Sequence, residues 1–199
     1  MKNTGLIIFV VGILVLGLVA MVCFKRSDPP VEASTQQIKV LLQQLKTNMD
    51  DFVRDLSKKF PTDQRVRLLA KRYKDTRLSE APEPETYTLN KGEQMLMCMR
   101  NNYKESDKYG EVHDDMNLLM FVGLHELAHI MSVTAHHTDE FWSNFKFILE
   151  EAAEMGYYRP VDYSHSPMAY CAMLVYENPY FHPKTKEERV QEVVSILFN

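Results

Sequence analysis

The sequence has little that would suit a nucleic-acid-binding protein. Its 199 residues include 23 Lys and Arg against 27 Asp and Glu, which gives a formal net charge of −4. No run of basic residues is longer than two, so no surface is expected to follow a phosphate backbone. We therefore expect no nucleic-acid partner.

Cysteine is also scarce. The three cysteines, Cys23, Cys98 and Cys171, form no CxxC pair and are too few and too scattered to predict a disulfide framework. Cys98 and Cys171 are expected as small core residues, and a reducing compartment is favoured. The domain also has no N-x-S/T sequon, which favours a cytosolic location.

One long apolar run stands at the N-terminus. The composition of the whole chain, 45% apolar and 25% charged, is that of a globular protein, but residues 5–24 carry no charge. As a helix of about 1.5 Å per residue this run spans about 30 Å, the thickness of a bilayer core. A cleaved signal peptide is the alternative, yet "VAMVCFKRS" offers no small-x-small cleavage site. We therefore predict an uncleaved single-pass membrane anchor over residues 1–26.

Residues 27–35, "SDPPVEAST", are predicted to be an exposed tether, followed by one domain over residues 36–199. The helical N-terminal part of this domain, 36–78, begins with 3.6-residue apolar spacing from about Thr35 to Phe60, which predicts a long amphipathic helix. Pro61 ends that helix. Thr62 or Asp63 is predicted to cap a second one that continues to Tyr73.

The middle of the chain has β character. "SEAPEPE" at 79–85 is predicted to be a linker, and strands are predicted at 86–90 and 94–100 around a turn in which Gly92 supplies a positive φ. The polar stretch after them is predicted to be a loop, with His113 at the surface. The order of helices and a small hairpin predicts an α+β fold.

The segment "HELAH" carries the chemistry. It lies in an apolar helix predicted from Met116, capped by Asp114 or Asp115, to about Val133. His125 and His129 are four residues apart, so both imidazoles project from one helix face and can hold one zinc ion. Zinc lowers the pKa of a bound water towards about 7, and Glu126, one residue round the helix, would be the general base. The alternative is a pair of hydrogen-bonded helix histidines.

A third ligand requires the chain to turn back. In a straight helix His136 would lie about 16 Å along the axis from His125, too far to share an ion. "SVTAH" can end the helix, with His136 in the left-handed conformation, so that His137 points back at the metal. His136 itself remains an alternative ligand, as does a glutamate from "EE" at 150–151.

"HELAH" followed by "HTDEFW" resembles the zinc metallopeptidases of the WLM and SprT-like group. In that group HExxH is followed by a histidine and, four residues later, an aromatic residue. His137 and Phe141 keep this offset, so the resemblance implies His137 as the third ligand. The wider pattern from "TYTLNKGE" to "YENPY" also resembles uncharacterised metallopeptidase-like proteins of algae and large DNA viruses.

The resemblance implies a zincin-like α+β domain, with a central HExxH helix and a small β-hairpin, that hydrolyses peptide bonds. Zn²⁺ would be bound by His125, His129 and His137, with Glu126 as the base and a polypeptide as the substrate. The alternative function is a non-catalytic metal-binding scaffold or assembly protein at the membrane.

Five further residues are candidates for supporting roles. Asp139 and Glu140 could accept the N–H of a ligating imidazole or simply begin the next helix. Tyr163, His165 and Tyr170 lie in an irregular segment that could return over the metal, where one of them could stabilise an oxyanion.

Overall fold

The computed structural model describes residues 31–181. The chain divides into two compact units, residues 1–35 and 36–199, and the account below concerns the described part of the second. Its helices are α1 Val31–Lys59, α2 Gln64–Tyr73, α3 Met116–Met131 and α4 Asp139–Glu154. Its strands are β1 Arg77–Glu80, β2 Tyr87–Leu89, β3 Gln94–Met97, β4 Met168–Tyr170 and β5 Met173–Val175. The predicted α+β class is confirmed.

The two N-terminal helices follow the predicted pattern. The apolar stripe of α1 is buried, including Leu45, Met49 and Phe52, and the Asp63 carboxylate caps α2 by accepting from two backbone N–H groups. The predicted tether is partly wrong, because residues 31–35 are already helical. The prediction relied on the prolines at 29–30, which disfavour a helix, but both precede the first helical residue, Val31.

α3 is the central helix and is buried on nearly every side. It begins at Asp115, whose carboxylate accepts from the backbone N–H groups of Asn117 and Leu118. Gly123 lets α1 approach closely, since a Cβ there would lie 2.8 Å from Sδ of Met49. α3 also packs against α2 and α4, so its HELAH motif is held by helices on several sides.

A three-stranded sheet lies beside α3. β2 and β3 form the predicted antiparallel hairpin, and its turn has positive φ at Asn90, Lys91 and Gly92. The predicted linker at 79–85 is wrong at its start, because β1 pairs in parallel with β3 through Ser79 and Glu80. "RLSE" has no alternating apolar pattern, so only its partner identifies it as a strand.

β4 and β5 form a second hairpin, which a disulfide between Cys98 and Cys171 joins to the end of β3. Both cysteines are buried, but the prediction of unpaired thiols is wrong. The two residues lie 73 positions apart, so no local spacing signals the bond. Disulfides persist where thiols are not kept reduced, and the bond therefore removes the support for a reducing compartment.

The predicted membrane anchor, residues 1–26, lies outside the described residues, as does the tether up to residue 30. Within residues 31–181, no helix combines the length and the apolar character that crossing a bilayer requires.

Candidate metal centre and its cavity

Three imidazoles converge at the C-terminal half of α3. Nε2 of His129 lies 3.2 Å from Nε2 of His125 and 3.2 Å from Nε2 of His137, and the third separation is 3.0 Å. Nitrogen ligands placed about 2.0–2.1 Å from a tetrahedral ion are themselves about 3.3 Å apart. The three nitrogens thus already have nearly the spacing that one ion requires.

The turn after α3 brings His137 into this group. The helix ends at Met131, and His136 has a φ of +64°, the left-handed conformation expected for it from the sequence. Of the described residues, the cluster of donor atoms contains His125, His129 and His137 but not His136.

The glutamates proposed as alternative ligands point elsewhere. Glu150 pairs with Lys146 at 2.6 Å, and Glu151 pairs with Lys59 of α1 at 2.6 Å. Neither belongs to the cluster of donor atoms, which leaves the three histidines as its members.

Phe141 forms the floor of the cluster. It is fully buried, and its ring stacks on that of His129 with centroids 4.2 Å apart. It also meets the rings of His125 and His137 edge-on, with centroid distances of 4.9 Å and 4.6 Å. The four-residue offset between His137 and Phe141 therefore has a physical reason, since one turn of α4 places the aromatic ring beneath all three imidazoles.

Two basic side chains bind the carbonyl end of α3 and the turn beyond it. Arg72 donates to the carbonyls of Ile130 and Ser132, both at 2.8 Å. Lys91, from the β2–β3 turn, donates to the carbonyls of Ser132 at 3.3 Å and Thr134 at 2.6 Å. Cations stabilise a helix C-terminus, so these contacts fix the start of the loop that carries His137.

Glu140 also binds the loop that carries His137. Its carboxylate accepts from the backbone N–H groups of Val133 and Thr134 at 2.8 and 2.9 Å, and from the Thr134 hydroxyl. The hydrogen bonds from Thr134 and Val133 lower the pKa of Glu140. Glu140 therefore binds the loop backbone rather than an imidazole N–H, while Asp139 lies in the first turn of α4.

The environment keeps the histidines neutral. Burial, together with the neighbouring imidazoles, lowers the pKa of His125 and lowers that of His129 to about 4. Burial and His136 lower the pKa of His137. At neutral pH each ring is therefore neutral, the form in which an imidazole binds a metal.

Glu126 is a buried carboxyl group that lines the same cavity as His125 and His137. Burial raises its pKa to about 7, opposed by a hydrogen bond from Thr88. The Thr88 hydroxyl donates to Oε2 of Glu126 at 2.7 Å. The carboxyl is thus oriented by strand β2, which packs against α3.

The proposed oxyanion donors are differently placed. Tyr163 is fully buried in the core against Phe121, and His165 is exposed and bonded to Asp162 at 2.9 Å. Tyr170 does line the cavity, but its hydroxyl donates to the carbonyl of Cys98 at 2.9 Å and also bonds Thr86. Of the three, Tyr170 alone lines the cavity, and its hydroxyl is engaged by other parts of the chain.

Sequence reasoning missed several of the supporting residues. Thr88 lies 38 residues before Glu126, and an isolated threonine in a strand gives no signal of such a contact. His113, predicted at the surface, is buried; its Nε2 accepts from the Cys171 backbone N–H at 3.0 Å and its ring stacks on Tyr170. These contacts connect parts of the chain that only folding brings together.

Three relatives were found, all of them viral proteins that are described as uncharacterised. A protein of Acanthamoeba polyphaga mimivirus is 33% identical over 135 residues, which cover 65% of each chain. A protein of Invertebrate iridescent virus 6 is 35% identical over 75 residues, 38% of this chain and 39% of the relative. One of Invertebrate iridescent virus 3 is 40% identical over 78 residues, 39% and 45% of the two chains. The matches thus span less than two thirds of each relative.

No protein-family model matches the chain, and no solved structure matches it.

Proposed function

We propose that the protein is a zinc-dependent peptidase in which His125, His129 and His137 bind one Zn²⁺ ion and Glu126 is the general base. The observation that carries the proposal is the triangle of Nε2 atoms, each 3.0–3.2 Å from the other two. Two of the three histidines, His125 and His137, line a cavity together with Glu126.

A metal ion explains the triangle better than hydrogen bonds between the histidines. Each ring nitrogen of a neutral imidazole is either a donor or an acceptor. Among three nitrogens at least two have the same role, so at least one of the three short separations would join two donors or two acceptors. A cation that accepts a lone pair from all three nitrogens removes this conflict, and imidazole nitrogen is a preferred zinc ligand.

The class of reaction follows from Glu126, the carboxyl group next to the three histidines. A zinc ion held by three protein ligands supplies a Lewis acid and a water that is acidic near neutral pH. Glu126, which accepts a hydrogen bond from Thr88, would take a proton from water and return it to the leaving amine.

The local arrangement supports a place among zincin-like, WLM and SprT-like peptidases. An HExxH helix is followed by a turn with the third histidine, an aromatic residue lies beneath the three rings, and a small sheet lies beside the helix. These are the features that the sequence resemblance implies, and the family assignment rests on them.

We further propose that residues 5–24 anchor the domain to a membrane, as their uninterrupted apolar sequence predicts. The cytosolic side predicted for the domain must accommodate the Cys98–Cys171 disulfide. Labelling of exposed lysines of the domain, such as Lys58, with a membrane-impermeant amine reagent, applied to cells that express the full chain before and after permeabilisation, determines the side.

The proposed function is tested by Glu126→Gln in the zinc-loaded protein. This variant keeps a similar shape and the three histidines, so zinc content should be unchanged while hydrolysis of an unfolded polypeptide such as casein falls by at least a hundredfold. Glu83→Gln, an exposed glutamate, is the matched control and should keep full activity. Equal turnover in Glu126→Gln would contradict the assigned role, and zinc binding without hydrolysis in the unaltered protein would leave a metal-binding scaffold.

A further inference from the structure

The cavity beside the three histidines is large and mostly apolar. Its volume is about 680 Å³, within the range of about 300–1,000 Å³ that is typical of ligand sites. Three separate elements supply its apolar walls: α3, α4 and the β4–β5 hairpin. The apolar lining side chains used below are Phe121, Val122, Trp142, Phe145, Leu174 and Val175.

The charged groups of the cavity are all acidic. Besides the histidines, the acidic or basic side chains that line it are Glu85, Glu126 and Glu177. Glu85 is exposed and Glu177 is half-buried, so both lie towards the outer part of the cavity. Among the described residues that line it there is no lysine or arginine.

The apolar walls and acidic side chains of the cavity determine which side chains of a substrate can bind there. An apolar wall stabilises an apolar group by about 25 cal/mol for each Å² that it removes from water, whereas an acidic group placed there would lose its hydration and meet like charges. The apolar wall and the His125–Glu126 pair belong to the same cavity. An occupant can therefore bury a side chain against the wall while its backbone lies at the reacting groups.

We propose that this cavity is a specificity pocket, which binds a large apolar side chain of a polypeptide substrate next to the bond that is cleaved and which discriminates against acidic side chains. The inference rests on the proposed peptidase function for its substrate class. The binding preference itself is measurable without catalysis.

Trp142 provides the means to measure binding. It is the single tryptophan of the chain, it lines the cavity, and its ring centroid lies 5.8 Å from that of His137. A side chain that enters the cavity should change the fluorescence of Trp142. The probe set consists of capped pentapeptides, four glycines around a central Phe, Leu, Ala, Lys or Glu, titrated into zinc-loaded full-length Glu126→Gln protein.

The expected result is that the Phe and Leu peptides bind at least tenfold more tightly than the Ala peptide, and that the Glu peptide binds most weakly. Equal affinities within threefold, tighter binding of the Glu peptide, or no fluorescence change with any peptide would overturn the inference. If the apolar peptides bind as expected and the unaltered protein cleaves none of them or casein, the pocket stands and the proposed peptidase function fails.

A variant that narrows the pocket provides the second test. In the Glu126→Gln background, Val122→Phe adds bulk to the α3 wall and should weaken binding of the Phe peptide at least tenfold while the Ala peptide changes less than threefold. Val40→Phe, at an exposed position of α1, is the matched control and should bind as its parent does. If Val122→Phe does not fold, Leu174→Lys on the hairpin wall replaces it and should abolish the preference for Phe over Glu. Unchanged preferences in a folded pocket variant would contradict the inference.

Discussion

The hydroxyl of Thr88 donates a hydrogen bond of 2.7 Å to Oε2 of Glu126. This contact joins strand β2 to the HELAH helix, and it supplies a donor to a carboxyl group that is only 4% exposed. A buried carboxylate without a donor is costly, so the hydrogen bond both orients Glu126 and favours its ionised form.

The first prediction concerns this contact. Thr88→Val preserves the shape of the side chain and removes the donor, so kcat should fall about 10- to 100-fold, which corresponds to about 1.5–3 kcal/mol. Zinc content should stay the same, because Thr88 is not a member of the histidine cluster. Thr88→Ser keeps the hydroxyl and should recover most of the rate; equal kcat values for Thr88→Val and the unaltered protein would show that the hydrogen bond has no role in turnover.

A second prediction concerns the loop that carries His137. Glu140→Ala removes the acceptor for the backbone N–H groups of Val133 and Thr134, which leaves His137 less fixed. The affinity for zinc should fall about 10- to 100-fold, as it does when groups that orient metal ligands are removed. Competition with a chromogenic chelator measures the affinity.

The matched control for that experiment is Glu150→Ala. Glu150 lies on the same helix and carries the same charge, but its partner is the surface residue Lys146. Its removal should leave zinc affinity within about twofold of that of the unaltered protein. A similar loss in both variants would mean that net charge, rather than the loop contact, controls the affinity.

The pH dependence of stability gives a third prediction. The pKa of Glu140 is lowered in the folded protein by its hydrogen bonds to Thr134 and Val133. Its contribution to stability is therefore fully present above the unfolded-state pKa of about 4.5 and is lost as the pH falls through the folded-state pKa. The Tm difference between metal-free unaltered protein and Glu140→Gln should be constant from pH 7 to about pH 5 and should shrink below that. A difference that grows towards pH 4 would be inconsistent with this sign.

The fourth prediction concerns the disulfide. The bond between Cys98 and Cys171 closes a separation of 73 residues, and its removal by Cys171→Ser should lower the free energy of unfolding by about 2–4 kcal/mol. Reductant should destabilise the unaltered protein similarly. Cys23→Ser removes a thiol from outside the described residues and serves as the control. Alkylation of Cys98 and Cys171 in the native protein without reductant would show that the bond does not form.

The sequence predicts the positions of the three histidines better than it predicts the residues and strands that support them. Periodicity and caps predict the helices because those signals are local, and the positive φ of His136 follows from the need to end a helix and turn back. Strand β1 is not predicted, because a short polar strand is defined by its parallel partner β3. The pairing of Cys98 with Cys171 is not predicted either, because it depends on how distant segments pack.

The contacts of Thr88 and Glu140 are of the same kind. Each contact joins groups that only the tertiary structure brings together. Threonine is common in strands and glutamate in the first turn of a helix, so neither residue stands out in the sequence. Sequence patterns therefore identify the three histidines that the structure brings together, whereas the folded structure is needed to identify the residues that orient their surroundings.

The central claim is that three particular histidines hold one zinc ion. Elemental analysis of the purified full-length protein after equilibration with zinc, for the unaltered chain, His137→Ala and His136→Ala, tests it most directly. We predict one zinc per chain in the unaltered protein and in His136→Ala, and a loss of most of the metal in His137→Ala. The absence of zinc from the unaltered protein, or its loss in His136→Ala with retention in His137→Ala, would contradict the claim.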